Sequence, residues 1–224
     1  MTGLDFSAVL SRWPEFWTGT QATVYYSVIS LVLACLIGML VALMRLSPVA
    51  PLRWIARGYI DFVRGTPALV QIFFVYFGMP SLGVNISPPV AAVIALAINS
   101  GGYLAEIFRG GIVSVERGQP EAARSLGMSR GQAMRRIILP QAALRVIPAA
   151  SGEFTNLVKG TSLLSTISVV ELTRVAQVIV GVTFRPIEAY IAIAVIYFML
   201  NFVIAQSAVW LETLLTRKQG GGHG

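Results

Sequence analysis

Five apolar stretches, 20–44, 66–83, 89–108, 143–167 and 187–215, dominate this chain. A run of about 20 apolar residues is what a helix needs to cross the ~30 Å hydrocarbon layer of a bilayer. In lipid every backbone N–H and C=O must find a partner within the protein, which leaves helices or closed barrels. Runs this long read as helices. The expected fold class is all-α: a polytopic membrane protein with five transmembrane helices behind a short amphipathic N-terminal helix. Charged residues make up 12% of the chain and hydrophobic ones 55%, against about 25% charged in a soluble domain.

The net charge of +7, with pI ≈ 10.1, would suit a nucleic-acid partner. Its placement argues against one. Arg45, Arg53, Arg57 and Arg64 follow the first stretch, and seven arginines from Arg109 to Arg145 separate the third from the fourth. The connection at 84–88 has no charge, and Arg174 and Arg185 are the only basic residues between the last two stretches. Basic residues mark cytoplasmic loops, so the N-terminus is expected outside and the C-terminus in the cytoplasm. On this reading Asp61 and Arg64 sit at the cytoplasmic mouth of the second span, with Arg64 as an exposed, paired anchor or, in the alternative, a substrate clamp. Residues 4–17, with Trp13 and Trp17, form an amphipathic stretch expected to lie along the outer interface.

The first apolar run is long enough to span and has no basic segment ahead of it, which argues against a cleavable leader. Cys35 lies inside that run and reads as core filler, and His223 sits in a Gly-rich tail. Neither metal binding nor His-based acid–base catalysis has raw material here, so no metal and no catalytic residue is expected. The chain divides into an interfacial segment (1–19), a transmembrane domain (20–216) and a flexible tail (217–224).

The connection 109–142 is the anomaly, because it is long, basic and helix-forming. Pro120 and Glu121 suit the first turn of a short helix, where the acidic side chain meets the positive end of the helix dipole. Gly127 is placed to stop that helix in a left-handed conformation. Ser129 is placed to cap a second helix running through Ile138, and Pro140 to start the fourth span. The prediction is a protruding helix–turn–helix knob.

Glu121-Ala122-Ala123, three residues, Gly127, nine residues, Ile137, one residue and Leu139-Pro140 resemble the loop by which bacterial ABC-importer permeases grip their ATPases. Phe62 to Gln71 (FVRGTPALVQ), Tyr103 to Ile112, and Ile138 to Ala142 are similar to segments of the polar amino acid permeases. Lys159-Gly160-Thr161-Ser162-Leu163 is similar too, with Gly160 standing where an acidic residue or Asn is common. The resemblance covers roughly residues 20–215. It implies a type I ABC-importer permease fold in a bacterial inner membrane. It also implies a coupling helix formed by Glu121, Ala122, Ala123, Arg124 and Gly127, and three protein partners: an ATPase, a second permease subunit and an extracytoplasmic solute-binding protein, with 168–186 as its candidate dock. No Gly-x4-Gly-Lys-Ser/Thr phosphate loop occurs, and Lys159 and Lys218 are the only lysines. ATP is therefore expected on the partner, with no cofactor on this chain.

Ionisable residues inside a span are functional candidates, because burying them costs several kcal/mol unless they are paired or wet. Counted from Arg145, Glu153 lies ~12 Å deep and Lys159 ~21 Å. With Asn156 they form one stripe that suits an amino-acid headgroup, and Thr161 and Ser162 can add donors where the helix loosens. The same stripe also suits an internal Glu153–Lys159 pair that only holds the bundle together. Asn99 and Tyr103 on the third span and Gln71 on the second extend the candidate pathway, or serve as interhelical glue. The leading function is the pathway-forming permease subunit of an ATP-driven importer for polar amino acids. The alternative is a stand-alone secondary transporter of amino acids, opines or zwitterionic osmolytes.

Overall fold

The structure, a computed structural model, describes residues 4–220; His223 and the rest of 221–224 lie outside the described residues. Among the described residues there are helices and no strands. After one turn at Ser7–Leu10 (α1), the first long helix is Trp13–Leu46 (α2). It begins seven residues ahead of the expected 20, with Pro14 in its first turn, and stops before Pro48. Trp13 and Trp17 therefore belong to the same helix as the first apolar stretch.

Gly19, Thr23, Ser27, Ser30, Ala34, Gly38 and Ala42 are the buried face of α2. Their spacing of three and four residues puts small side chains on one stripe. That stripe lies mainly against Pro88–Val113 (α5), which buries Ala91, Ala95, Ser100, Gly101, Gly102 and Ala105. A Cβ at Gly38 would sit 2.8 Å from Leu104 Cβ and 3.1 Å from the Ala105 nitrogen. Within a bilayer apolar contact with lipid is as good as with protein, so such backbone approach, made possible by small residues, is what holds helices together.

The second span is broken. Ala50–Gly65 (α3) and Ala68–Ser81 (α4) meet at 110°. Fourteen residues of α4 reach only ~21 Å, too short to cross alone. Ahead of it, α3 lies along α2 and α5 with Ala56, Ile60 and Val63 inward. Val63 packs on Gly102, where a Cβ would lie 2.6 Å from Val63 Cγ1. Arg64 thus stands beside the middle of α5, not at a cytoplasmic mouth. This position was not legible, because nothing before residue 66 is continuously apolar.

The basic connection folds into Gly118–Ser125 (α6) and Arg130–Ala133 (α7). A π turn at Met134–Ile138 joins α7 to Leu139–Gly160 (α8). The expected second helix therefore does not end at 138 but runs on into the fourth span. Pro140 has no N–H to give and its ring crowds the carbonyl four residues back; the wider turn, in which Leu139 N–H donates to Met134 O, precedes it directly. A 3-10 segment, Thr161–Ile167, then leads past Ser168 (φ 61°) into Leu172–Thr183 (α9). Pro186–Gly220 (α10) closes the fold and takes in the first part of the expected tail. Three helices are long and apolar enough to span, and the two bent pairs complete five.

At the far end of the bundle, Val9 of α1 is buried with Phe16, Leu172, Val175, Ile179 and Ile193. Arg185 pairs with Asp5 and Glu188, both at 3.3 Å. Hydrogen bonds from the Ser7 hydroxyl and N–H hold the Asp5 carboxyl below its usual range, with Arg185 adding to the effect. The N-terminal turn is fastened to α9 and α10 instead of lying free along an interface.

Gly38→Ala should lower the thermal midpoint of the detergent-solubilised protein, since its methyl meets fixed backbone; overpacking of this kind costs about 1–3 kcal/mol. Gly58→Ala, with open space around it, is the control and should hold or raise the midpoint. Equal midpoints would mean the α2–α5 contact is looser than described.

Candidate functional site

The break in the second span fixes the site. Ending a helix beside the middle of α5 frees backbone carbonyls where water is scarce, and Gln71 answers them. Its Nε2 donates to Val63 O (2.9 Å), Thr66 O (3.1 Å) and Thr66 Oγ1 (2.8 Å), while its Oε1 accepts from Asn99 Nδ2 (3.1 Å). Gln71 is 4% exposed. Two of the expected pathway residues, Gln71 and Asn99, are thus committed to the bend.

The bend presents Arg64 to an open cavity of ≈440 Å³ lined by Arg64, Tyr103, Glu106, Ile107, Ala149, Gly152, Glu153 and Asn156. Helix α8 runs antiparallel to α5, Val146 filling the space at Gly111 and Leu96 lying near Gly160. That register sets Glu153 against Ser100. Glu153 is 7% exposed, with the side chains of Ser100 and Asn156 close enough to act on its carboxyl. Arg64 lies over the Tyr103 ring, 5.9 Å from its centroid. Glu106 receives Arg109 through Nε (3.1 Å) and a second guanidinium nitrogen (2.7 Å). Among the described residues no ion pair joins Glu153 to Arg64 or to Lys159. The internal Glu153–Lys159 pair left open by the sequence does not form.

Of the eight expected pathway residues, then, the cavity gathers Glu153, Asn156 and Tyr103. Lys159 is exposed on the same stripe of α8, beyond the cavity lining. Thr161 is fully buried and donates to Val158 O (2.7 Å), and Ser162 donates to Lys159 O (2.7 Å). Their hydroxyls serve the 3-10 turn. Glu106 was missed as a cavity residue, and Arg64, read first as an anchor, lines the cavity too. The signal for Arg64 was the i, i+4, i+7 pattern of Ala56, Ile60 and Val63, which marks a packed helix ahead of the apolar run. A larger groove of ≈560 Å³ between α2, α8 and α10 is lined largely by apolar side chains, including Trp13, Trp17, Phe154 and Met199. It offers a polar solute almost nothing to bind.

The knob is built as its punctuation predicts. Gly127 has φ 78°, Met128 N–H donates to Ala123 O (3.1 Å) and Gly127 N–H to Arg124 O (2.9 Å). This is the Schellman closure of a helix C-terminus. Ser129 and Gln132 form a reciprocal capping box. Gln141 of α8 donates to Gln119 Oε1 (3.3 Å), and Arg145 to the Ser114 carbonyl, so the knob is clamped to the root of the fourth span. Glu121, Ala122 and Arg124 face outward. Ala123 is 3% exposed and packs within the chain, whereas Leu126, not singled out from sequence, is 80% exposed at the tip.

A polytopic helical bundle with a polar cavity beside its broken span and a rigid external knob defines a membrane transport subunit. The chain belongs to the family described as binding-protein-dependent transport system inner membrane component, whose model matches residues 7–217. It is 36% identical to the nopaline transport system permease protein NocM of Agrobacterium fabrum, over 97% of this chain and 96% of that one. It is 41% identical to the probable amino-acid ABC transporter permease protein YckA of Bacillus subtilis, over 93% of this chain and 91% of the relative. The crystal structure of an amino acid ABC transporter with histidines superposes with a TM-score of 0.89 at 40% identity, covering 95% of this chain and 99% of that one.

Gln71→Leu should destabilise the protein more than an ordinary core exchange, because it orphans Val63 O, Thr66 O and Asn99 Nδ2 together. A buried group left unpaired costs about 1–3 kcal/mol. Thermal unfolding in detergent tests this, and a midpoint equal to wild type would remove Gln71 from the bend.

Proposed function

We propose that this chain forms the membrane pathway of an ATP-driven importer for polar α-amino acids. The observation that carries the reading is the pair Arg64 and Glu153: opposite charges across one ≈440 Å³ cavity that do not neutralise each other. Glu153 is buried, and a buried charge is expensive to leave without a full partner. A zwitterion satisfies both, its carboxylate at the guanidinium and its ammonium at the carboxylate. Asn156 adds a donor and an acceptor, and the Tyr103 ring holds Arg64 in place. Relatives named for amino acids and for nopaline support this solute class.

The partners follow from what the chain leaves open. Asn156, Lys159 and Thr166 are exposed along one side of the fourth span, where contact with lipid would cost several kcal/mol. A second permease subunit covers that side and completes the pathway. Chemical energy comes from a separate ATPase, which takes the knob at Glu121, Ala122, Arg124, Leu126 and Gly127. Leu126 supplies the apolar anchor, and the surrounding arginines the polar rim. An extracytoplasmic binding protein delivers solute to the face carrying α1 and α9. The N-terminus lies outside, the C-terminus in the cytoplasm, and the membrane is the bacterial inner membrane.

In the cycle, ATP-driven closure of the ATPases draws the knobs together. The Gln119–Gln141 and Arg145–Ser114 contacts pass that movement to α8 and so to Glu153. The cavity opens alternately as α8 moves against the α2–α5 pair.

Uptake of labelled L-glutamine, L-arginine and L-glutamate into liposomes bearing the assembled importer tests the site. Arg64→Gln and Glu153→Gln should each cut uptake at least about tenfold, as expected for losing a charge-assisted contact of ~1.5–3 kcal/mol, while ATP binding persists. Uptake of the wild-type rate by both variants would place the path elsewhere. Leu126→Asp and Gly127→Trp should insert normally yet fail to retain the ATPase on affinity purification; undiminished co-purification would exclude the knob as its dock.

A further inference from the structure

Behind the cavity wall at Glu106 lies more positive charge than the amino-acid reading uses. Glu106 and Ile107 line that wall. Around Glu106 stand Arg109, bonded at 2.7 Å, Arg45, whose Nε is 3.9 Å away, and Arg64, close enough to act on its charge. Three guanidinium groups share one carboxylate. Arg109 already takes both Glu106 oxygens, so little acceptor capacity remains for the other two. The Arg45 Nε atom is buried and has no hydrogen-bond partner, although its side chain as a whole is 22% exposed. A buried guanidinium N–H without an acceptor is costly, more so beside two further cations.

We propose that Arg45, Arg64 and Arg109 around Glu106 form an exit station that receives the carboxylate of the transported solute on its way to the cytoplasm. The proposal rests on the amino-acid reading of the cavity. Arg64 belongs to both stations, over Tyr103 at the cavity and within the field of Glu106 below it. As the ammonium leaves Glu153, the carboxylate can stay with Arg64 and gain the idle Arg45 N–H. The excess positive charge of the cluster then draws the carboxylate inward as the ammonium loses Glu153. Occupation of the station from the cytoplasm opposes further delivery, so the same site makes accumulated solute an inhibitor of its own uptake.

The test uses liposomes bearing the assembled importer, with labelled L-glutamine, L-arginine or L-glutamate outside and increasing concentrations of the same unlabelled amino acid inside. Wild-type uptake should slow as the internal amino acid rises. Arg45→Gln should slow uptake and raise the internal concentration giving half-inhibition by about tenfold, the change expected for one charge-assisted hydrogen bond. Arg45→Lys keeps the charge without Nε and should give a smaller shift; it decides the matter alone if Arg45→Gln fails to assemble. A purely structural Arg45 would lower uptake and leave half-inhibition unmoved, which overturns the proposal. The phosphate of an anionic lipid has the same chemistry as ligand. If the shift vanishes in phosphatidylcholine liposomes and returns with phosphatidylglycerol, the lipid is the ligand and the exit station is wrong. Uptake of none of the three amino acids overturns the amino-acid reading and the station with it.

Discussion

The contact between α2 and α5 sets every other position in the bundle. At Gly38 the two backbones approach until a single added carbon would collide with Leu104 and Ala105. The neighbouring glycines of α5 repeat the arrangement with different partners. Gly101 leaves room for Ile37 of α2, Gly102 for Val63 of α3 and Gly111 for Val146 of α8. One helix thus meets three others through missing side chains. In lipid, where burial of apolar area gives no advantage over contact with tails, such fit supplies the specificity that a hydrophobic core supplies in water. What α5 has left over, Asn99, Ser100, Tyr103 and Glu106, is polar and serves the bend or the cavity.

The broken second span depends on that contact. A continuous helix from 50 to 81 would satisfy its own backbone but would carry Arg64 past α5 on a straight rod. The 110° break turns Arg64 to the cavity and exposes carbonyls at Val63 and Thr66, which Gln71 then closes. Pro67 contributes by having no N–H to lose and by favouring an extended Thr66 (φ −120°, ψ 146°). One glutamine therefore links the backbone cost of the break to the placement of the charge it delivers.

Features encoded locally were legible in the sequence. The knob is the clearest case: Gly127 adopts its positive φ and Ser129 with Gln132 its capping box, because both depend on residues within four positions. Three spans were legible for the same reason, as apolar runs of fixed length; the two bent pairs were legible only in part. What escaped were properties of packing. Arg64 was assigned to a loop because α3 is not uniformly apolar; it has one face on α2 and α5, one exposed apolar face with Trp54 and Phe62, and one polar face. Thr161 and Ser162 looked like free donors, but in a 3-10 turn a hydroxyl finds the carbonyl three residues back before any ligand arrives. Glu106 was hidden by its own partner, since a Glu and an Arg at i, i+3 look like an ordinary surface pair.

The two ends of the fourth span belong to different bodies. Its root is clamped to the knob through Gln141 and Arg145. Beyond Ser168, α9 is held to α2 by the Leu172 N–H on Thr23 Oγ1 (3.1 Å) and to α10 by the Tyr197 hydroxyl on Glu171 (2.9 Å). Glu171 itself is fully buried and caps α9 by accepting from Thr173 and Arg174 N–H. A displacement imposed on the knob enters α8 at its root, and that helix continues from Leu139 to Gly160 with Pro148 inside it. It cannot move α9 without breaking that buried set of bonds. The difference falls on 161–170, where the chain is a tight 3-10 turn followed by a left-handed serine and a 48° change of direction. Glu153 lies on the moving side of that joint and Arg64 on the other, held by Val63 on Gly102. On the proposed function, movement of the knob changes the separation of Arg64 and Glu153, and that would couple energy input to solute binding.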